Sequence, residues 1–165
     1  MYKRQRANGG SGKIWLAASH WRPHKRLKQN IDLFYSLSGK NDILLIAGKN
    51  PDVQFDNLER VFYLGDLRWE NLISVMKVSD FFIHLAWLDH CPNVVVDAKA
   101  AGCKIFCTDA GGTDELADKN DVVFLEKEWD FNPVDLYSPP VIDFSKTRTG
   151  ICTSDYSIVL SLIHI

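Results

Sequence analysis

The sequence predicts an α/β fold with a doubly wound parallel sheet, and two observations predict it. Six short apolar runs have the length of buried strands: 13–19, 42–48, 60–65, 80–86, 104–108 and 122–125. Four segments between them carry helical signals: 25–38, 69–79, 93–102 and 113–119. Strands that alternate with helices are joined by crossovers, so neighbouring strands run parallel and both sheet faces are covered.

Each element has a local reason. KIWLAAS (13–19) is rich in large apolar residues, and DILLIAG (42–48) is a similar run that glycine ends. Apolar residues recur near helical spacing in KRLKQNIDLFYSLS (25–38) and in WENLISVMKVS (69–79). NVVVDAKAAG (93–102) ends in a glycine, which suits a helix C-terminus. Ligands of such sheets bind outside the carboxyl ends of the strands, so the loops there are the places to search.

The chain divides into three predicted parts. Residues 13–126 carry the strand and helix pattern, and 1–12 is a linker or an N-terminal artefact whose GGSGK stretch lacks the spacing of a P-loop. Residues 127–165 are predicted as an irregular, partly artefactual tail, because the pattern decays there. The ends MYKRQ and LSLIHI look like sequences that recur on translated metagenomic fragments, so we expect the chain to be part of a longer protein.

Composition argues against several function classes. The formal net charge is −2 at pH 7, which gives no electrostatic reason to expect a nucleic-acid partner. No apolar run has the length of a membrane span and no signal-peptide pattern is present, so no membrane contact is expected. Four cysteines lack metal-ligand spacing and are predicted to be reduced thiols of a cytosolic protein: Cys91, Cys103, Cys107 and Cys152.

The stretch DHCPNVVVDAKAAG combines the start of a helix with two acids. Pro92 suits a first helical turn, and the amides of Asn93 and Val94 then point out of the helix start as donors for an anion. Asp97 lies one turn further on, on the same face as Asn93, and Asp89 lies in the loop before. Amide donors flanked by two carboxylates fit a ligand with a diphosphate between a sugar and a ribose.

With these residues the sequence resembles the family 4 retaining glycosyltransferases of GT-B fold, in their C-terminal, donor-binding domain. That family carries Glu, seven residues and Glu, then small residues, Gly, a strand, a glycine-rich loop and another Glu. Here the order is Asp89, HCPNVVV, Asp97, AKAAG, KIFCT and DAGGTDE. The resemblance covers roughly residues 13 to 126, including SHWRPHKRL, LLIAG and FYLG followed by DLRWENL. It implies a Rossmann-like domain, one half of a GT-B enzyme.

The resemblance also implies roles for the acids and for the glycine-rich loop. Asp97 matches the family acid that holds the ribose hydroxyls, and Asp89 matches the acid that contacts the donor sugar. Gly111 and Gly112 match the loop that faces the sugar, and Glu115 matches the acid that follows it. Both Asp89 and Asp97 are one methylene shorter than the family glutamate, so Asp97 is expected to reach ribose through a helix shift or a water molecule.

The cations and the base contact are implied in the same way. Lys25 matches the family lysine that neutralises the diphosphate. Its partner cation is open among three nearby residues, of which Arg22 is favoured over His20 and Arg26. Leu67, just after the third strand, lies where family members hold the base by backbone contacts. Fixed cations and helix-start amides stabilise the leaving diphosphate electrostatically, without a divalent ion.

The resemblance therefore predicts a nucleotide-diphosphate sugar as substrate, no cofactor and no metal. It implies that the N-terminal, acceptor-binding domain is the missing partner and that this chain alone binds donor without turnover. Its common setting is polysaccharide or cell-envelope biosynthesis in the cytoplasm, with peripheral attachment to the inner face of the membrane left open. Retention of configuration is likewise implied by the resemblance alone.

Two other function classes are considered. The first is a non-catalytic nucleotide- or phosphosugar-binding α/β module, which the two aspartates in place of glutamate favour. The second is a receiver-like or flavodoxin-like signalling domain, which SHWRPHK argues against because it supplies neither a phosphorylatable aspartate nor a flavin loop. His84, inside a predicted strand, is interpreted as a core histidine with a satisfied hydrogen bond.

Overall fold

The computed structural model describes residues 12–126 and 132–152, and its centre is one seven-stranded sheet. The strands are β1 Ile14–Ala18, β2 Ile43–Ala47, β3 Val61–Tyr63, β4 Phe81–His84, β5 Lys104–Thr108, β6 Val122–Phe124 and β7 Thr147–Thr149. The helices are α1 Leu27–Leu37, α2 Trp69–Val78 and α3 Asn93–Ala100, with 3₁₀ turns at Pro23–Lys25 and Thr113–Leu116. None of the helices in these two ranges is long and apolar enough to cross a membrane.

The sheet confirms the predicted fold class. Its strand order is β3-β2-β1-β4-β5-β6-β7, and every neighbouring pair from β3 to β6 is parallel. The chain moves outward from β1 to β3 and then returns to the other side of β1 with β4. The strand order therefore reverses between β1 and β4, which opens a crevice at their carboxyl ends.

Two apolar cores cover the two faces of the sheet. Adjacent residues of β1 point to opposite sides, so Trp15 packs in one core with Phe34 of α1. Leu16 packs in the other core with Met76 of α2 and Phe82 of β4. Burial on both faces explains why these strands are continuous apolar runs, and each fully buried large side chain contributes about 1.5–3 kcal/mol.

Two predicted helices differ from the observed ones. The predicted helix 25–38 is divided at Arg26, whose left-handed φ of 54° separates the 3₁₀ turn Pro23–Lys25 from α1. This conformation is stabilised by buried contacts of the Arg26 side chain, described below. The predicted helix 113–119 is only a 3₁₀ turn, because the backbone at Ala117 is extended.

The described residues 132–152 contribute a strand to the sheet. Although the sequence predicts an irregular tail there, β7 pairs antiparallel with β6 at the sheet edge. Ile142 is buried in the core, and the ring centroid of Phe144 lies 5.4 Å from that of Phe124. The predicted terminal artefacts MYKRQ and LSLIHI lie outside the described residues, and the domain boundaries stay predictions.

Candidate functional site

A cavity of about 440 Å³ lies at the carboxyl ends of β1, β2 and β4. This is where the strand order reverses, and the volume is within the usual range for small-molecule sites. Its wall is formed by strand ends and by the loops that follow them. The lining residues are Ala18, Ser19, His20, Lys25, Ala47, Gly48, Lys49, Asp66, Leu67, Leu72, His84, Asp89, Pro92 and Val94.

Gly48 lets the loops after β1 and β2 approach each other at the cavity floor. Its φ is +118°, and a Cβ atom added there would lie 1.7 Å from the backbone oxygen of Ser19. Its amide donates to the carbonyl of Gly65 at 2.9 Å, which ties the β3 loop to the same place. A side chain at residue 48 would therefore separate the loops that form the cavity.

Two titratable side chains in the cavity wall, Lys25 and His84, contact the same carboxylate oxygen of a third, Asp89. The Lys25 ammonium donates to Oδ2 of Asp89, and Nε2 of His84 lies 2.9 Å from the same oxygen. Lys25 and Asp89 are each 18% exposed at the side chain, whereas His84 is 4% exposed. The lysine and the carboxylate therefore reach solvent through the cavity, and the imidazole lies behind them.

The electrostatics of this cluster fix its protonation at neutral pH. The hydrogen bond from His84 and then the contact with Lys25 hold the pKa of Asp89 well below its usual range, although burial opposes the shift. Burial lowers the pKa of His84, and the contact with Asp89 offsets only part of that effect. Asp89 is therefore ionised and His84 neutral, so the hydrogen in their contact is on Nε2.

The glycine-rich loop holds the backbone of Asp89 in place. Gly111 pairs with Asp89 in an isolated parallel bridge, and the amide of Gly112 donates to the Asp89 carbonyl at 2.9 Å. A Cβ at Gly111 would lie 2.6 Å from that carbonyl oxygen, and a Cβ at Gly112 would lie 2.2 Å from the oxygen of His90. The two glycines were predicted to face the sugar, and the structure places them against Asp89, behind the cavity wall.

The start of α3 lies beside this cluster. Pro92 is the N-cap of α3 and not its first helical residue, so the helix begins at Asn93. Val94 lines the cavity and Asn93 is exposed at its edge. Within the described part of the chain, the amides of Asn93 and Val94 have no hydrogen-bond acceptor, as expected for the first residues of a helix.

The predicted acids Asp97 and Glu115 do not line the cavity, and the same holds for Arg22, Asn93, Gly111 and Gly112. Asp97 is on α3, and its Oδ2 accepts a hydrogen bond of 3.1 Å from the indole nitrogen of Trp69. This contact joins α2 to α3 at a half-exposed position. Glu115 is exposed in the 3₁₀ turn Thr113–Leu116. Neither carboxylate touches the Lys25 and Asp89 cluster directly.

The three candidates for the partner cation of Lys25 lie in different environments. Arg26 has a fully buried side chain whose guanidinium donates to both carboxylate oxygens of Glu126, at 2.7 and 2.6 Å, and to the Leu85 carbonyl. It is therefore part of the core. Arg22 is exposed, and its carbonyl accepts from the Lys25 amide at 2.8 Å, so it begins the turn that carries the lysine. His20 lines the cavity.

The far side of the cavity is partly apolar. Leu67 and Leu72 line it beside Ala47, and the base contact predicted for the Leu67 backbone stays a prediction. No sequence pattern indicated Lys49 and Asp66, which form an ion pair of 3.3 Å at the same side of the cavity. A lysine and an aspartate seventeen residues apart in two exposed loops carry no pattern that sequence alone can detect.

His84 was interpreted as a core histidine, and it is both buried and hydrogen-bonded. It also contacts the site, since its partner is Asp89, five residues later. The chain turns back at the end of β4, and only that turn brings the two side chains together. Within residues 12–126 and 132–152, no group of three or more metal-binding side chains is close enough to hold a metal ion.

The fold is a Rossmann-like domain with a cavity, lined by charged and apolar residues, at its topological switch point. The sequence matches the family model for glycosyl transferases group 1 over residues 2–130. The chain therefore belongs to the group 1 glycosyltransferases. No curated protein is similar enough to count as a match.

Solved structures share the fold. HepE from Anabaena in complex with UDP-glucose is 18% identical, with a TM-score of 0.58 over 70% of this chain and 35% of that one. WaaG, a glycosyltransferase involved in lipopolysaccharide biosynthesis, is 20% identical, with a TM-score of 0.59 over 70% and 34%. Sucrose-phosphate synthase from Thermosynechococcus elongatus is 13% identical, with a TM-score of 0.60 over 73% and 34%. The chain spans about a third of the length of these proteins.

Proposed function

We propose that the chain is the donor-binding, C-terminal half of a retaining family 4 glycosyltransferase, with the nucleotide-diphosphate sugar bound in the cavity between β1 and β4. One observation carries the proposal. Lys25, Asp89 and Val94, whose amide has no acceptor among the described residues, all line one cavity at the reversal of strand order. Such a set of donors and acceptors matches a diphosphate with a sugar attached.

The chemistry follows from charge. When the glycosidic bond breaks, negative charge grows on the leaving nucleoside diphosphate. In the proposed complex this charge is stabilised by Lys25 and the Val94 amide at the cavity wall and by their exposed neighbours Arg22 and Asn93. Fixed donors of this kind stabilise a transition state electrostatically. These groups carry out the task without a divalent ion, so donor binding is expected to be independent of metal.

The acids fit the two ends of such a donor. Both known contacts of the Asp89 carboxylate fall on Oδ2, so among the described residues Oδ1 is left to accept from a sugar hydroxyl. Leu67 and Leu72 offer an apolar wall to the base. Asp97 is proposed to hold the ribose after its bond to Trp69 is exchanged for a ribose hydroxyl. Gly111, Gly112 and Glu115 support the sugar side from the loop after β5.

Acceptor binding is assigned to a separate N-terminal domain, so the chain alone is expected to bind donor without turnover. The length of the structural relatives, about three times the matched part, supports this division. The expected setting is envelope or polysaccharide synthesis in the cytoplasm, peripheral to the membrane. Retention can be read from the anomeric proton of the product by NMR, with a full-length protein that contains this domain.

Calorimetric titration of the chain with UDP, GDP and ADP, with and without a divalent ion, tests the proposal. Saturable binding of one nucleotide in both conditions is the expected result, and it would identify the base. No binding of any nucleotide to a chain that circular dichroism shows to be folded would overturn the proposal.

The variant Lys25→Gln shows whether binding uses the proposed site. Loss of one charge-assisted contact to a diphosphate is expected to weaken binding at least tenfold, or about 1.4 kcal/mol. Lys28→Gln is the matched control, because Lys28 is 79% exposed at the side chain and pairs with Asp32 on the outside of α1. Equal affinity of the two variants would place the nucleotide elsewhere.

A second candidate is a non-catalytic nucleotide- or phosphosugar-binding module. It is favoured by one observation, the engagement of the short Asp97 side chain with Trp69. Replacing both Asp89 and Asp97 by glutamate in a full-length protein separates the two candidates. A catalytic domain keeps or gains transfer activity, whereas a module that has lost catalysis stays inactive.

A further inference from the structure

His84 is a buried titratable residue beside the cavity that the proposed chemistry does not use. It is the last residue of β4, and its ring lies almost parallel to that of Phe82, with an interplanar angle of 12° and centroids 6.5 Å apart. At 4% exposure the side chain has no freedom to turn to solvent. Its one polar contact among the described residues is Nε2 with Oδ2 of Asp89, at 2.9 Å.

We propose that His84 is a positioning residue of this site, which holds the Asp89 carboxylate so that Asp89 keeps the Lys25 ammonium at the cavity wall. The identity of the ligand, a nucleoside diphosphate, rests on the proposed function. The positioning of Asp89 by His84 rests on the geometry alone. His84 acts through Asp89 and is assigned no contact with the donor.

The geometry favours this role because the backbone and the side chain of Asp89 are fixed separately. The loop with Gly111 and Gly112 holds the Asp89 backbone, whereas the hydrogen bonds of the carboxylate among the described residues come from Lys25 and His84. Lys25 has a long stem on a short 3₁₀ turn and cannot fix the carboxylate by itself. The imidazole at the end of a central strand is the rigid group of the three.

A neutral imidazole also suits the charge balance of the cluster. Burial keeps His84 neutral, so it orients Asp89 without cancelling the negative charge that holds Lys25. A cation in its place would compete with Lys25 for the same oxygen. The groups that face His84 are Asp89 and Lys25 in the cluster, with His24 of the preceding turn nearby.

Two variants separate positioning from packing. His84→Leu replaces the imidazole by an apolar side chain of similar size and so removes the hydrogen-bond donor. His84→Gln places an amide N–H near the position of Nε2. Three readouts are used for each: UDP, GDP and ADP titration, carbon-detected NMR titration of the Asp89 carboxyl, and urea unfolding. Positioning predicts nucleotide affinity at least fivefold weaker in His84→Leu and restored to within twofold in His84→Gln.

The carboxyl titration is the readout that a packing role alone would not move. Because the hydrogen bond from His84 is the first cause of the lowered pKa of Asp89, that pKa should rise in His84→Leu and return in His84→Gln. An unchanged Asp89 pKa in a folded His84→Leu chain would overturn the inference, and so would equal affinity of both variants. If the wild-type chain binds no nucleotide, the proposed function fails, while the carboxyl titration still decides the role of His84.

Discussion

The ion pair between Arg26 and Glu126 is the interaction whose loss is predicted to cost most stability. Its side chains are 0% and 6% exposed, and the guanidinium donates to both oxygens of the carboxylate. In Glu126→Ala the guanidinium stays buried, and the carbonyl of Leu85 is the one acceptor left to it among residues 12–126 and 132–152. Removing one partner of a buried pair costs about 3–5 kcal/mol, a third or more of the roughly 5–15 kcal/mol of a typical domain.

Urea unfolding, followed by circular dichroism and tryptophan fluorescence, measures this loss. With a slope of about 2 kcal/mol/M, the midpoint should fall by about 2 M. The double variant Arg26→Met with Glu126→Met should regain most of the loss, because an apolar pair needs no compensating charge. A midpoint for Glu126→Ala within 0.5 M of wild type, or a double variant as unstable as the single one, would refute the reasoning.

The remaining predictions concern the cavity floor and the thiols. Gly48→Ala should cost more than about 2 kcal/mol in thermal unfolding and abolish nucleotide binding, because its Cβ meets the Ser19 backbone. Gly65→Ala is the control, with open space around its Cβ and only about 1 kcal/mol of left-handed strain. Exposed Cys91 should react with a thiol reagent at pH 8, and buried Cys107 only after unfolding. Because burial raises the pKa of Cys107 above 9.0, ionisation favours the unfolded chain, and stability should fall above about pH 9.

The strands of the central sheet could be predicted because a strand that is buried on both faces has a continuous run of apolar residues in the sequence. The run 13–19 contains β1, Ile14–Ala18, with one residue to spare at each end. By contrast β7, Thr147–Thr149, is a short polar strand at the sheet edge, and its pairing with β6 leaves no pattern in composition. The interruption at Arg26 was equally hidden, since its cause is an acid one hundred residues away.

The site could be predicted only in part, for the same physical reason. Local order along the chain indicated Lys25, Asp89 and Val94, and the fold brings all three to one cavity. Side-chain contacts that form only when the folded chain brings separate elements or turns together were not predicted. The bond from Trp69 to Asp97 joins two helices, and that from His84 to Asp89 needs the turn after β4.

The most direct test of the central claim is NMR mapping of nucleotide binding. The chain is titrated with the nucleotide that binds best, and the shifts of its backbone amides are followed. The largest shifts are expected at Lys25, Leu67 and Val94, which line one cavity from three separate segments of the chain. Shifts confined to the opposite edge of the sheet, around Thr147–Thr149, or no shifts at saturating nucleotide, would contradict it.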